Sequence, residues 1–229
     1  MYNLSKFNIV HILVLLILIY IGVYFIPKLS KDVLVNFIST TIYFIALNLF
    51  IIFWVIKFGI KDKSQLEKTF KPTSGFRDYF MMSIIFFGTF LLTALFHLTE
   101  KFHQFDFLNN NLVIPVIFPS HNIAKGMPIF ITILFVSSTI ILVIAEELFF
   151  RAYLFEKQFI YFNNLTWIAN GLFYTVFHIF GKSNLIEFLP FALLISFIYQ
   201  KSRNITITYI PHILINLLAY YQFIIQLYA

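Results

Sequence analysis

Of the chain's 229 residues, 60% are hydrophobic, 21% are aromatic and only 11% are charged, with a mean hydropathy of +0.87. Soluble domains carry about 25% charged residues, so this composition excludes an ordinary soluble globular domain. The formal net charge of +6 is no nucleic-acid signal, because its cations lie in short connections between apolar windows, where they set topology and meet anionic headgroups.

There is no cysteine, which excludes disulfides, thiol nucleophiles and thiolate-held metals and leaves carboxylate, imidazole, hydroxyl and amide groups for any chemistry. Apolar windows long enough to cross a hydrocarbon core recur along the chain. They predict an all-α, polytopic transmembrane bundle of about seven spans, near 9 to 26, 33 to 56, 78 to 97, 127 to 150, 164 to 180, 185 to 200 and 205 to 228. The first follows Lys6 but ends in Tyr24-Phe25-Ile26-Pro27 without a small-residue cleavage pattern, so it reads as a retained helix.

The connection 57 to 77 holds Lys57, Lys61, Lys63, Lys68, Lys71 and Arg77 and is the strongest cytoplasmic signal. With that loop inside, the inner segments also carry Lys6, Arg151, Lys157, Lys201 and Arg203. Lys28, Lys31, Lys101, Lys125 and Lys182 fall outside. This bias predicts a multi-pass protein of the cell membrane with its N-terminus cytoplasmic and its C-terminus outside. Residues 98 to 126 read as an outer connection able to lie on the membrane as a lid, and Trp167 as an interfacial anchor. The chain divides into N-terminal helices over 1 to 126 and a membrane core over 127 to 229 that holds the polar residues. No internal repeat is visible, which weighs against a transporter built from inverted repeats.

In the last four spans strongly polar residues are few: Glu146, Glu147, Arg151, His178, Glu187, His212 and Asn216, with Asn170 and Tyr174 as lesser members and Glu187, near an outer boundary, expected to meet headgroups or water. Ionisable groups inside a bilayer are costly and usually carry function. Adjacent carboxylates point about 100° apart on a helix, so Glu146 and Glu147 are not expected to serve one centre equally. Glu147 and Arg151, four apart, are expected to pair and to leave Glu146 free as a lone carboxylate and general base. Tyr174 with His178, and His212 with Asn216, repeat the four-residue spacing that puts two side chains on one helix face. His11, His97, His103 and His121 sit at span ends or in the outer loop. One tension concerns depth: counted from Asn164, His178 lies too far from Glu146 unless the fifth span begins near Trp167 or Ala169.

The string Glu146-Glu147-Leu148-Phe149-Phe150-Arg151, then Tyr174 to His178, then His212 to Asn216, resembles the three ordered motifs of the CAAX prenyl protease and bacteriocin-processing family, also called the CPBP or Abi family. Those motifs are Glu-Glu-x-x-x-Arg, Phe-x-x-x-His and His-x-x-x-Asn, and the match covers about 127 to 220. The resemblance implies that Glu146 and His178 activate a water, that His212 and Asn216 form an oxyanion hole, and that Glu147 and Arg151 support them. Tyr174 stands where the family has Phe, and Ala152 where Gly is common; neither removes a catalytic group.

The resemblance thus implies an intramembrane endopeptidase acting on a membrane-associated peptide or protein. The rival reading is a non-catalytic bacteriocin-immunity or scaffold protein of the same fold. A proton-coupled relay is a third. No cofactor is expected. Were zinc bound, Glu146, His178 and His212 would be its ligands, but Glu146 would then serve poorly as base, and no His-Glu-x-x-His signature is present. Each residue also has a plain structural reading. His212 with Asn216 alone would make an ordinary interhelical hydrogen-bond pair. It is the joint order and spacing that favour the enzyme.

Overall fold

The computed structural model describes residues 13–15, 17–22, 25–26, 30–59, 70–73, 75–97, 128–178, 185–219, 221 and 225. Among these the architecture is entirely helical, as predicted. The expected lid over 98 to 126, the basic residues Lys61, Lys63 and Lys68, the histidines 11, 103 and 121, and the ends of the first and last predicted spans lie outside the described residues.

An apolar helix, α1, runs over Leu13–Gly22. Helix α2, Val33–Trp54, starts where the Asp32 side chain accepts from the amides of Leu34 and Val35, satisfying two of the orphan donors of a helix start. It passes into a π-helical turn at Val55–Gly59. Helix α3 covers Phe76–His97. Helix α4, Pro128–Glu147, opens on a proline, which suits the first helical position because its missing amide would be unpaired there anyway.

Beyond α4 the structure departs from the seven-span scheme. The predicted inner loop after residue 150 does not form. The chain continues as a π-helix over Leu148–Phe155, all eight residues of it buried, and then as α5, Glu156–Phe162. It breaks only at Asn163, which adopts φ 46°, and after a 3₁₀ turn, Asn163–Leu165, enters α6, Thr166–Phe177. Asn is one of the few residues that tolerate a positive φ, which makes it a suitable hinge. Helices α7, Leu185–Ser202, and α8, Ile205–Ala219, complete the described part. Arg203, also at positive φ, and Asn204, whose Oδ1 accepts from the Thr206 amide, make the turn between them.

By length and composition two helical runs are able to cross a membrane, Leu34–Lys57 and Ile129–Phe177, and α1, α7 and α8 contribute shorter apolar helices. The second run folds back on itself. Asn170 of α6 donates to the Phe150 carbonyl and to Gln158, so α6 returns alongside the π-helix and α5. Glu146 and His178 therefore stand at nearly equal sequence distances from the turn at Asn163. This resolves the expected depth conflict mainly by lengthening the fourth element rather than by deepening the start of the fifth. Arg151, read as part of an inner connection, is fully buried within the π-helix.

The main core lies around the π-helix, where Leu148, Phe149, Phe150, Tyr153 and Phe155 meet Ile85 of α3, Tyr174 of α6, Ile195 and Tyr199 of α7 and Ile207 of α8. Gly171 lets α6 approach α7 closely: a Cβ there would lie 3.0 Å from the Leu193 Cα and 3.1 Å from the Ala192 oxygen. Trp167, expected as an interfacial anchor, packs edge-on against Phe197, and its amide donates to Gln200. At the same end Arg203 pairs with Glu156 and lies over Phe155 and Phe159.

Candidate active site

The polar residues of α4, the π-helix, α6 and α8 converge on one buried cluster. Glu146 and Glu147 close α4 and are 7% and 1% exposed, whereas Arg151 and Tyr174 have no exposure and His212 has 3%. His178 and Asn216 are only half-buried. Burying so many polar groups is tolerable only if they satisfy one another.

Glu147 accepts the Thr208 hydroxyl at 2.6 Å on Oε2 and faces His212 Nδ1 at 3.0 Å with Oε1. Its expected partner, Arg151, approaches only to 3.6 Å. The main hydrogen bond of Arg151 goes instead to Asn170 Oδ1, at 2.9 Å, while its guanidinium lies 4.6 Å from the centre of the Tyr174 ring. Its Nε and Nη2 have no hydrogen-bond partner, so the aromatic face and the nearby Glu147 charge are what compensate this buried cation. The anticipated Glu147–Arg151 clamp is therefore a longer, four-part arrangement of Glu147, Arg151, Asn170 and Tyr174.

Glu146 is not the lone carboxylate the spacing suggested. Its Oε2 accepts the Tyr174 hydroxyl at 2.6 Å and lies 3.7 Å from His212 Nε2, and its Oε1 lies 3.5 Å from His178 Nε2. The Tyr174 oxygen is itself 3.3 Å from His212 Nε2. Both adjacent carboxylates thus serve one centre after all, because the two nitrogens of His212 span the angle between them.

Hydrogen-bond chemistry assigns the His178 ring. Its Nδ1 stands 2.9 Å from the backbone carbonyl of Tyr174, which can only accept, so Nδ1 carries the hydrogen. In the neutral ring Nε2 then presents a lone pair toward the Glu146 carboxylate. At 3.5 Å the gap is too short for a water to lie between the two, so a water that donates to both sits beside the pair on its half-buried side. The position of His178, at the last turn of α6, gives it this backbone partner one turn earlier.

Asn216 lies one turn beyond His212 on α8, and its Nδ2 donates to the His212 carbonyl at 3.0 Å. A carboxamide nitrogen carries two hydrogens, so this bond leaves one for another acceptor. Pro211, directly before His212, withholds an amide from the helix ladder at this point.

Three members of the cluster carry more than the sequence reading gave them. Asn170 uses both ends of its carboxamide, on Arg151, Phe150 O and Gln158, with the Ser196 hydroxyl 3.1 Å from its Oδ1. Thr208 was legible in principle, since it precedes His212 by one helical turn and shares its face. Gln158 was not, because it fell in a segment expected to be a loop. Among the described residues no group of three His, Cys, Asp or Glu side chains is arranged to hold a metal ion.

Fold and cluster together define a helical, strongly apolar protein with a buried carboxylate and imidazole centre. Residues 128–218, which contain all three motifs, match the model of the family described as Rce1-like, type II CAAX prenyl endopeptidase Rce1-like. The resemblance read from the motifs is to this family of endopeptidases, and it covers the C-terminal part of the chain. No curated protein and no solved structure matches the chain.

Proposed function

We propose that the chain is an intramembrane endopeptidase of the cell membrane that hydrolyses peptide bonds in membrane-associated peptides or proteins. The observation that carries this reading is the facing pair of acceptors, Glu146 Oε1 and His178 Nε2, at the one edge of the cluster where His178 and Asn216 retain exposure.

A water seated beside those acceptors and donating to both has its oxygen free to attack a carbonyl carbon. As the C–O bond forms, a proton passes to Glu146 and negative charge develops on the carbonyl oxygen. The second hydrogen of Asn216 and, in its doubly protonated form, Nε2–H of His212 stabilise that oxyanion. Donors of this kind are each worth about 2.7–4 kcal/mol. When the C–N bond breaks, Glu146 returns its proton to the departing amine, and a carboxylic acid, which ionises in water, and an amine leave. Glu147, Thr208 and Asn170 hold the imidazole and the guanidinium in place.

The reading is metal-independent. The Tyr174 hydroxyl stands between Glu146 Oε2 and His212 Nε2, in the space an ion bridging those two groups would need. The orientation proposed is an inner N-terminus. Lys57, Lys157 and Lys201, all expected on the inner side, each rest over an aromatic ring in the manner of snorkelling side chains.

The test uses purified protein in liposomes with a panel of synthetic membrane peptides, comparing the wild type with Glu146→Gln, each with and without chelator. Cleavage lost in the variant while the fold persists is the expected result. Cleavage that survives Glu146→Gln would refute the mechanism, and loss on chelation with recovery by zinc would refute metal independence. A chain that cleaves nothing yet protects cells from a bacteriocin, with or without Glu146, would be the non-catalytic scaffold.

A further inference from the structure

Tyr174 occupies a position at which the motif of the resembling family carries phenylalanine, so its hydroxyl is an addition to that motif. The residue has no exposure, and its ring packs edge-on against Phe150, tilts against Phe188 and lies under the Arg151 guanidinium. Those contacts need only a ring. The hydroxyl is different: it reaches out of this apolar seat to Glu146 Oε2 at 2.6 Å and to His212 Nε2 at 3.3 Å. A phenol has one hydrogen, and the shorter contact, to a carboxylate that can only accept, takes it. The contact to His212 Nε2, at 3.3 Å, is the longer and weaker of the two.

The geometry points to Tyr174 as a positioning residue that divides the two oxygens of Glu146, tying Oε2 to the framework and leaving Oε1 with His178 Nε2 for the water. This rests on the hydrolytic reading above. A carboxylate free to rotate about its last torsion would present either oxygen in turn, and that torsion is broad in an unconstrained side chain. With Oε2 anchored, the rotation is stopped in the orientation that puts Oε1 beside His178. The same hydroxyl oxygen lies 3.3 Å from His212 Nε2, which keeps the base beside the imidazole that Glu147 holds and leaves the Nε2 hydrogen for the oxyanion. The backbone carbonyl of Tyr174 meanwhile orients His178, so one residue sets both partners of the water from its two ends.

Tyr174→Phe is the informative variant, since it removes one oxygen and keeps the ring. Two measurements decide the matter. The first is the infrared spectrum of protein with ring-labelled tyrosine. In the wild type one phenol C–O band is that of a donor to a carboxylate; it disappears in Tyr174→Phe and shifts in Glu146→Gln. A band unmoved by Glu146→Gln overturns the proposal. The second is steady-state cleavage of the peptide panel. Tyr174→Phe is expected to lower kcat about tenfold, the effect of losing a hydrogen bond to a charged group, with KM within about twofold and the thermal midpoint held. An unchanged kcat, or a loss that tracks unfolding, overturns the positioning role. If the wild type cleaves no peptide in the panel, the hydrolytic reading and with it the positioning role fail, while the infrared comparison still decides the hydrogen bond.

Discussion

His212 Nδ1 and Glu147 Oε1 lie 3.0 Å apart, and this contact ties α8 to the end of α4. It fixes which nitrogen of His212 faces Glu146, and it gives Glu147, a carboxylate 1% exposed, its second close partner beside Thr208. Glu147 thus makes its closest contact to a basic group with the imidazole, at 3.0 Å, and a longer one with Arg151, at 3.6 Å.

Asn216→Ala should lower kcat about a hundredfold while leaving the thermal midpoint nearly unchanged. The one hydrogen bond seen for its side chain goes to a carbonyl of its own helix, a contact of small structural value, whereas an oxyanion donor is worth about 2.7–4 kcal/mol. Turnover of a membrane peptide alongside thermal unfolding in detergent checks this. A large fall in stability with intact turnover would make Asn216 structural.

Thr208→Val keeps the shape of the side chain and deletes the hydroxyl that Glu147 accepts at 2.6 Å. A buried acceptor that loses its donor costs about 1–3 kcal/mol, so the thermal midpoint should fall by several degrees. Thr208→Ser, which retains the hydroxyl, should recover most of the loss, and differential scanning of the three proteins measures it.

Asn170→Ala removes the carboxamide on which Arg151, the Phe150 carbonyl and Gln158 all depend. It leaves a fully buried guanidinium without its hydrogen-bond acceptor, and a loss of about 3 kcal/mol or more is expected. This should exceed the loss for Thr208→Val in the same unfolding measurement. Equal effects would mean that Arg151 draws its compensation from the Tyr174 ring and the Glu147 charge without Asn170.

Gly171→Ala places a methyl 2.8 Å from Leu193 Cδ2 and against the backbone of α7. The side chain can shift but the backbone can do so only by parting the two helices, a cost of about 1–3 kcal/mol. Gly75→Ala, where a Cβ would meet nothing within 4 Å, is the control and should be neutral. Reduced yield and thermal midpoint in the first variant alone would confirm the close approach.

The motif residues were legible because each departs from a strongly apolar background. Asn170 and Tyr174 were visible for the same reason, but at a lower rank than the structure gives them. What misled the reading was Arg151. A cation at the end of an apolar run looks like the first residue of a cytoplasmic loop, and hydropathy sees neither that a π-helix continues through it nor that Asn170, on the returning helix, provides its acceptor. Gln158 was hidden by the same error.

By itself, the sequence determined that this is a helical, membrane-type chain, and it determined which few side chains could carry chemistry, because polarity inside an apolar run is a local property and family motifs are strings. The tertiary structure alone decided how those groups pair: that Glu146 is held by Tyr174, that His212 bridges two carboxylates whose helical directions diverge, and that the fourth element runs on to a turn at Asn163. Pairing depends on how separate helices lean together and on the two-ended geometry of an imidazole or a carboxamide, and neither is encoded in the spacing along any one helix.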